Sequence, residues 1–289
     1  MDVDDVLAFD ADALGPLRTP VLLIALSGLF DIGSTATAAI DRFVDPSIAL
    51  TVAEIDPDPF YDFTQERPYV EILEGEVRVL CWPENRFEVC RGVGSRDLVV
   101  LTGAEPHLHW RTYAECIAAV SERLGCEAVV TVGAAAEAVP HTRTPLVTGS
   151  TTNPRLAASL GLSAPSYQGV TGVVGVLQTA LEARDVPAVS LRVGIPHYLM
   201  NAEHPQAVAA LHGHVAHVLG VQSEPMPVDE IERWRSLHDE VVENDVQLTM
   251  YVKMLEHDYD RRAEAAIPSA DDLGDEFERF LRDQRPNDT

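Results

Sequence analysis

Residues 21–26, VLLIAL, form an unbroken apolar run, too short for a buried helix and of the length of a strand covered on both faces. Ser27-Gly28 interrupts it. Asp31-Ile32-Gly33-Ser34-Thr35 then supplies a glycine and hydroxyl caps before Ala36–Phe43, whose alanines suit a helix lying close against a sheet. Strand, glycine loop and helix in that order make one βα unit. In a sheet built from such units, ligands collect outside the carboxyl ends of the strands. The loop Ser27–Thr35 is therefore the first place to expect a site.

The same rhythm recurs along the chain. Ser47–Ile55 reads as a second strand, ended by Asp56-Pro57-Asp58-Pro59 because each proline removes a ladder donor. Asp97–Gly103, Ala128–Val132 and Ala188–Gly194 are further apolar strand runs, with a short one at Pro145–Thr148. Helices are expected over His109–Leu124, from Asn153-Pro154 through Leu160, from the stretch Gly169–Leu177 to about Arg184, and over Pro205–Gly220. The fold class is thus α/β, with a mixed, mostly parallel sheet flanked by helices.

Three stretches depart from that rhythm. Residues 1–18 carry Asp2, Asp4, Asp5, Asp10 and Asp12 without periodicity and read as a peripheral arm. Tyr69–Arg91 alternates apolar with polar and is punctuated by Glu74-Gly75 and Pro83-Glu84-Asn85, the pattern of an antiparallel meander inserted into the core, with an edge that needs a cover or a partner chain. Beyond Pro225 and Pro227, Ile231, Trp234, Val241, Leu248, Val252, Leu255 and Tyr259 fall on one face of a single long helix over Asp229–Arg262. Pro268 ends it, and Ser269 with Asp272 resembles a capping box before Leu273, Phe277, Phe280 and Leu281. The expected division is a core over 1–220 and a helical appendage over 221–289, which either lids the strand ends or binds another chain.

Charge narrows the partners. The 289 residues carry a formal net charge of −25, which opposes nucleic-acid phosphates and anionic membranes alike. No apolar run reaches a membrane span, and Met1–Asp12 is acidic where a secretory leader is basic, so a cytoplasmic protein is expected. Cys81, Cys90, Cys116 and Cys126 form no CxxC and suit buried, reduced thiols.

Familiar catalytic signatures are incomplete. Gly28–Thr35 matches a phosphate-binding loop except that Ser34 stands at the lysine and Asp31 adds a negative charge, which argues against NTP hydrolysis. No G-x-S-x-G surrounds a serine, although Ser27 directly follows the first strand. His107 and His109, with Glu105 and either His141 or His197, have the composition of a zinc site but no HExxH spacing, so neither metal nor cofactor is expected. What remains is convergence: Ser27, Gly28, Asp31, Ser34, Glu105, His107, Gly133, His141, Thr151, Asn153 and His197 all lie on loops after expected strands. One crevice collecting them is the candidate ligand site. Read plainly, the same residues are ordinary polar loop residues, and none is assigned a catalytic role.

The ordered series SGLFDIGSTATAAI, LTGAEPH, VVTVGAAAEAVPHTR, YQGVTGVVGVL and VGIPHYL resembles the proteasome assembly chaperone two family, particularly its actinobacterial branch of unknown function. The likeness covers nearly the whole chain. It implies a single α/β domain similar to nucleoside phosphorylases and peptidyl-tRNA hydrolases, a hairpin insertion used in oligomerisation, and a C-terminal helical lid. The expectation that follows is a homo-oligomeric ligand-binding or assembly-chaperone-like protein, with itself as partner, a trimer as the favoured count, and a small-molecule ligand in the crevice. The alternative is a small-molecule hydrolase or phosphorylase-like enzyme using that crevice. Catalysis does not transfer with a fold, because function lives in the site.

Overall fold

A computed structural model describes residues 1–266, apart from 12–13, 74–76 and 224. An eight-stranded sheet runs in the order β1 (Leu7–Phe9), β3 (Leu50–Ile55), β6 (Asn85–Val93), β7 (Arg96–Ala104), β2 (Val21–Ser27), β8 (Ala128–Glu137), β10 (Ala188–Pro196) and β9 (Val147–Ser150). The central four, β7, β2, β8 and β10, pair in parallel. Because β6 is antiparallel to both β7 and β3, β3 points the same way as the centre, while β1 and β9 close the two edges antiparallel. The sheet is mixed and mostly parallel, and the fold is α/β.

Alternation along β2 builds two core layers, since successive side chains of a strand face opposite ways. Leu22, Ile24 and Leu26 pack with Tyr113 and Ile117 of α2 (Trp110–Arg123) and with Leu177 and Leu181 of α4 (Val173–Glu182). Val21, Leu23 and Ala25 pack with Ala36 and Ile40 of α1 (Thr35–Asp41) and with Leu211 and Val215 of α5 (Pro205–Leu219). Each such buried valine, leucine or isoleucine contributes about 1.5–3 kcal/mol. The short α3 (Pro154–Leu160) is capped by Asn153, whose side chain accepts from the N–H groups of Arg155 and Leu156.

The departures from expectation have physical causes. Residues 1–18 are not all arm: Leu7–Phe9 pairs antiparallel with β3, and three residues are too few to show a period. The meander over Tyr69–Arg91 divides. β4 (Tyr69–Leu73) and β5 (Val77–Cys81) pair only with each other, whereas Asn85–Val93 enters the main sheet, where Phe87, Val89 and Cys90 are buried. Alternation is common to all three strands, and only tertiary partners separate them. β8 extends past Val132 to Glu137 because β10 pairs with it as far as Pro196, overriding the weak strand preference of Gly133 and the alanines after it.

The single long helix is two. α6 (Val228–Glu243) stops at Asn244-Asp245, and α7 (Val246–Ala266) restarts because the Asp245 carboxylate accepts from the N–H groups of Gln247 (2.8 Å) and Leu248 (3.1 Å). The break shifts the buried face: Val242 is 6% exposed, whereas Val241 is 53% exposed. The chain folds back there, so that Asp239 of α6 and Glu256 of α7 reach neighbouring residues, His141 and Thr142. The expected capping box at Ser269 and the apolar residues Leu273–Leu281 lie outside the described residues.

Candidate functional site

The carboxyl ends of the strands divide into two regions, and the first lies over β2 and β7. Gly28 adopts φ +149°, and a Cβ there would stand 2.9 Å from Glu105 Cβ, so only glycine lets the loops after β2 and β7 touch. Glu105 then accepts the Leu29 N–H at 3.2 Å, and Ser27 Oγ donates to the Gly103 carbonyl at 3.2 Å. The chain continues along β8, where the Phe30 carbonyl accepts the Ala134 N–H at 2.6 Å beside Gly133. Gly172, at the start of α4, approaches from above: a Cβ there would lie 3.1 Å from the Phe30 ring and 3.4 Å from Glu105 Oε1. Ser27, Gly28, Glu105 and Gly133 are thus brought together, with Phe30 and Gly172 as members that the sequence reading did not name.

A cleft of about 420 Å³ opens beside this cluster, lined by Phe30, Thr131, Gly133, Tyr167, Gly172, Ser190 and Arg192. That is the size of a metabolite site. Thr131 Oγ1 accepts from Gln178 Nε2 at 3.1 Å, and Arg192 pairs with Glu137 at 3.0 Å. Below the loop ends, a buried polar network is satisfied internally: Tyr113 donates to Asn85 Oδ1 (2.9 Å), Asn85 Nδ2 donates to the Tyr61 hydroxyl, and Tyr61 donates to the Ala104 carbonyl (2.6 Å). Burial pushes the Tyr113 hydroxyl well above the ordinary tyrosine range.

The second region lies over β8 and β10, beneath α6 and α7. The Tyr198 hydroxyl accepts the His141 backbone N–H (2.9 Å) and meets Nδ1 at 2.7 Å, while Nε2 meets Asp239 Oδ1 at 3.1 Å. The arrangement that satisfies every atom is a neutral imidazole, accepting from Tyr198 at Nδ1 and donating to Asp239 from Nε2. Burial lowers the His141 pKa below the ordinary histidine value, against the pull of Asp239. His197 donates from Nδ1 to the Glu137 carbonyl (3.1 Å) and accepts from Tyr251 of α7 (3.1 Å). Arg143 grips Asp260 through two bonds (2.8 and 2.7 Å) and reaches Glu256 at 3.2 Å. His141 and His197 therefore share one neighbourhood through Tyr198, but it is a covered seam.

The remaining candidates are placed elsewhere. Asp31 is buried and caps α1, accepting the Ala36 and Thr37 N–H groups (2.6 and 3.3 Å) and the Thr37 hydroxyl (2.7 Å). Ser34, at φ +51°, faces the other layer, beside Ala38 and His204. His107 Nδ1 accepts the Asp62 N–H at 3.1 Å. Thr151 and Asn153 lie at the opposite end of the sheet. β9 runs antiparallel to β10, so the chain leaving it arrives where β10 begins, and Thr151 Oγ1 donates to the Ala188 carbonyl at 2.6 Å. A loop that follows a strand reaches the crevice only when the strand points that way.

Chemically, the first region offers a ligand cradle and no assembled nucleophile. Ser27 spends its proton on a backbone carbonyl, and activation of a serine needs a base at that position. Among the described residues, no three His, Cys, Asp or Glu side chains gather as metal ligands, and no helix is long and apolar enough to cross a membrane. The four cysteines are free, and burial pushes the Cys90 and Cys116 thiols up to about 11.

Comparison with known proteins fits this geometry. The described fold is similar to a PAC2 family protein from Streptomyces avermitilis, 36% identical over 81% of this chain and 99% of that one, with a TM-score of 0.73. It is likewise similar to a proteasome-assembly chaperone homologue from Mycobacterium tuberculosis, 34% identical over 80% of this chain and 99% of that one (TM-score 0.71). PbaB from Pyrococcus furiosus, an archaeal proteasome activator, shares the fold at 16% identity over 82% of this chain and 97% of its own (TM-score 0.61). No protein of curated function matches. A family model described as the PAC2 family matches residues 25–242, from the end of β2 to the last turn of α6 and short of α7. With that match and two relatives above 30% identity, the chain belongs to the PAC2 family.

Proposed function

We propose that this protein is a homo-oligomeric, assembly-chaperone-like binding protein of the cytoplasm, with α6 and α7 acting as a lid on the ends of β8 and β10. The β4–β5 ribbon carries the reading. All five residues of β4 are exposed, and Val70, Ile72, Leu73, Val77 and Leu80 present apolar surface on a two-stranded sheet that, among the described residues, pairs with no other strand. Such a ribbon is marginal alone in water, so another polypeptide surface covers it. A second copy of this chain is that surface, a trimer being the count favoured by fold resemblance. The relatives named as a proteasome-assembly chaperone homologue and a proteasome activator support the class of function. Light scattering tests the reading: the full chain should run as an oligomer, and a variant with residues 69–81 replaced by a short glycine linker as a monomer. An unchanged mass overturns it.

The cleft beside Phe30 and Gly172 favours a second reading, a small-molecule ligand and with it a hydrolase or phosphorylase-like activity. Binding would stabilise the fold by mass action. Thermal shift with inorganic phosphate and with nucleosides is the test, and an unmoved melting temperature counts against the enzyme.

A further inference from the structure

The seam between α6 and the core is built around histidine. His141 is buried between Tyr198, Asp239 and the ring of Trp234 (6.2 Å between centroids). His204, 2% exposed, donates from Nε2 to the Leu199 carbonyl at 2.9 Å and packs against the same indole at 5.3 Å. His238 packs on Trp234 at 4.2 Å, the rings tilted by 34°, and lies 6.4 Å from His141. Three imidazoles thus surround one side chain of α6.

A proton added to His141 disturbs this arrangement. It lands on Nδ1, which already accepts the Tyr198 O–H, and that hydroxyl loses its acceptor. The groups around His141 are Asp239 and His238 from α6, Glu256 from α7, Arg143 beside it, and Tyr198. The two carboxylates favour the cation, and burial and His238 oppose it. Facing His204 is His238 of α6, while Arg235 of α6 bonds Gln206 two residues on, and Glu203, Glu230 and Arg42 border the adjoining hollow. Burial comes first there too. Both rings hold a proton less readily when covered than in water. By contrast, the Arg143 guanidinium holds the Asp260 carboxyl below its ordinary value, so that pair keeps its charges through the histidine range and α7 stays held.

We infer that α6 is a proton-sensitive cover, seated on neutral His141 and His204 and released from the ends of β8 and β10 as pH falls through the histidine range. The inference rests on the reading of α6 and α7 as a lid. Linkage sets the sign: a seat that binds protons more weakly than the open form is fully favoured above the ordinary histidine value and loses ground below it, by up to two protons here.

Hydrogen exchange on the full chain tests this, compared at about pH 7.5 and about pH 5.5 with times scaled for the intrinsic rate. Exchange in residues 228–242 and 138–142 should rise about fivefold or more at the lower pH, while residues 21–26 of β2 stay protected. The double variant His141→Gln/His204→Gln should lose that pH response. Equal protection at both values overturns the inference, as does a midpoint below about pH 5, which would assign the change to carboxylates. The wild-type comparison stands by itself should the variant not fold. Residues 228–242 exchanging freely at the higher pH would instead overturn the lid reading.

Discussion

Gly28 and Glu105 meet side to backbone across the gap between the first two parallel strands: a Cβ on Gly28 would stand 2.9 Å from Glu105 Cβ, and the Glu105 carboxylate accepts the next N–H, that of Leu29, at 3.2 Å. This contact closes the loop that the opening apolar run delivers. It also sets the position of Phe30 over β8 and the cleft beside it.

Gly28→Ala therefore meets two penalties, a φ of +149° that side chains rarely adopt and a collision with Glu105. Loss of about 1–3 kcal/mol is expected from urea unfolding. Glu105→Gly in the same background should recover part of it by removing that Cβ, whereas equal losses would show that the strain is in the backbone alone.

Trp234→Ala should cost about 2 kcal/mol, less than for a fully enclosed aromatic because Trp234 is only half-buried between His204 and His238. Amide exchange should rise in residues 138–146 and stay unchanged in residues 104–109. The hydrogen bonds that α6 and α7 make to the rest of the described chain go to residues 141–144, 197 and 206. Increased exchange at 104–109 would mean the helices support both halves of the strand ends.

Asp31→Asn should stabilise the protein at neutral pH relative to its effect in acid. Burial raises the Asp31 pKa above its ordinary value despite the bonds from Ala36 and Thr37. For a carboxyl raised in the folded state, the stability it lends is fully present below the unfolded value and is lost as pH rises through the folded one. Asparagine keeps the acceptor for the two N–H groups without the charge. Urea unfolding at about pH 7 and about pH 4 should show the variant gaining on the wild type at the higher pH. A difference independent of pH would remove burial as the cause.

Local features of the chain were legible because each belongs to a few consecutive residues. The run Val21–Leu26 is buried throughout, Asn153 caps α3, and Gly220 ends α5 at φ +67°, each from a short-range pattern. Family resemblance rested on the same local segments. The break at Asp245 was also local, an aspartate cap written inside an otherwise continuous stripe, and periodicity overlooked it. Direction and partnership were decided only in three dimensions. Asn85–Val93 alternates like β4 and β5, yet it lies between β3 and β7 because the sheet has a place for it there. Thr151 follows a strand as Ser27 does, but β9 runs the other way, so the two residues stand at opposite ends. His141 finds Asp239 98 residues on, through a chain reversal no spacing announces. Hydrophobic period and capping are set by neighbours along the backbone, whereas the end of the sheet at which a loop emerges depends on which strand the chain has joined.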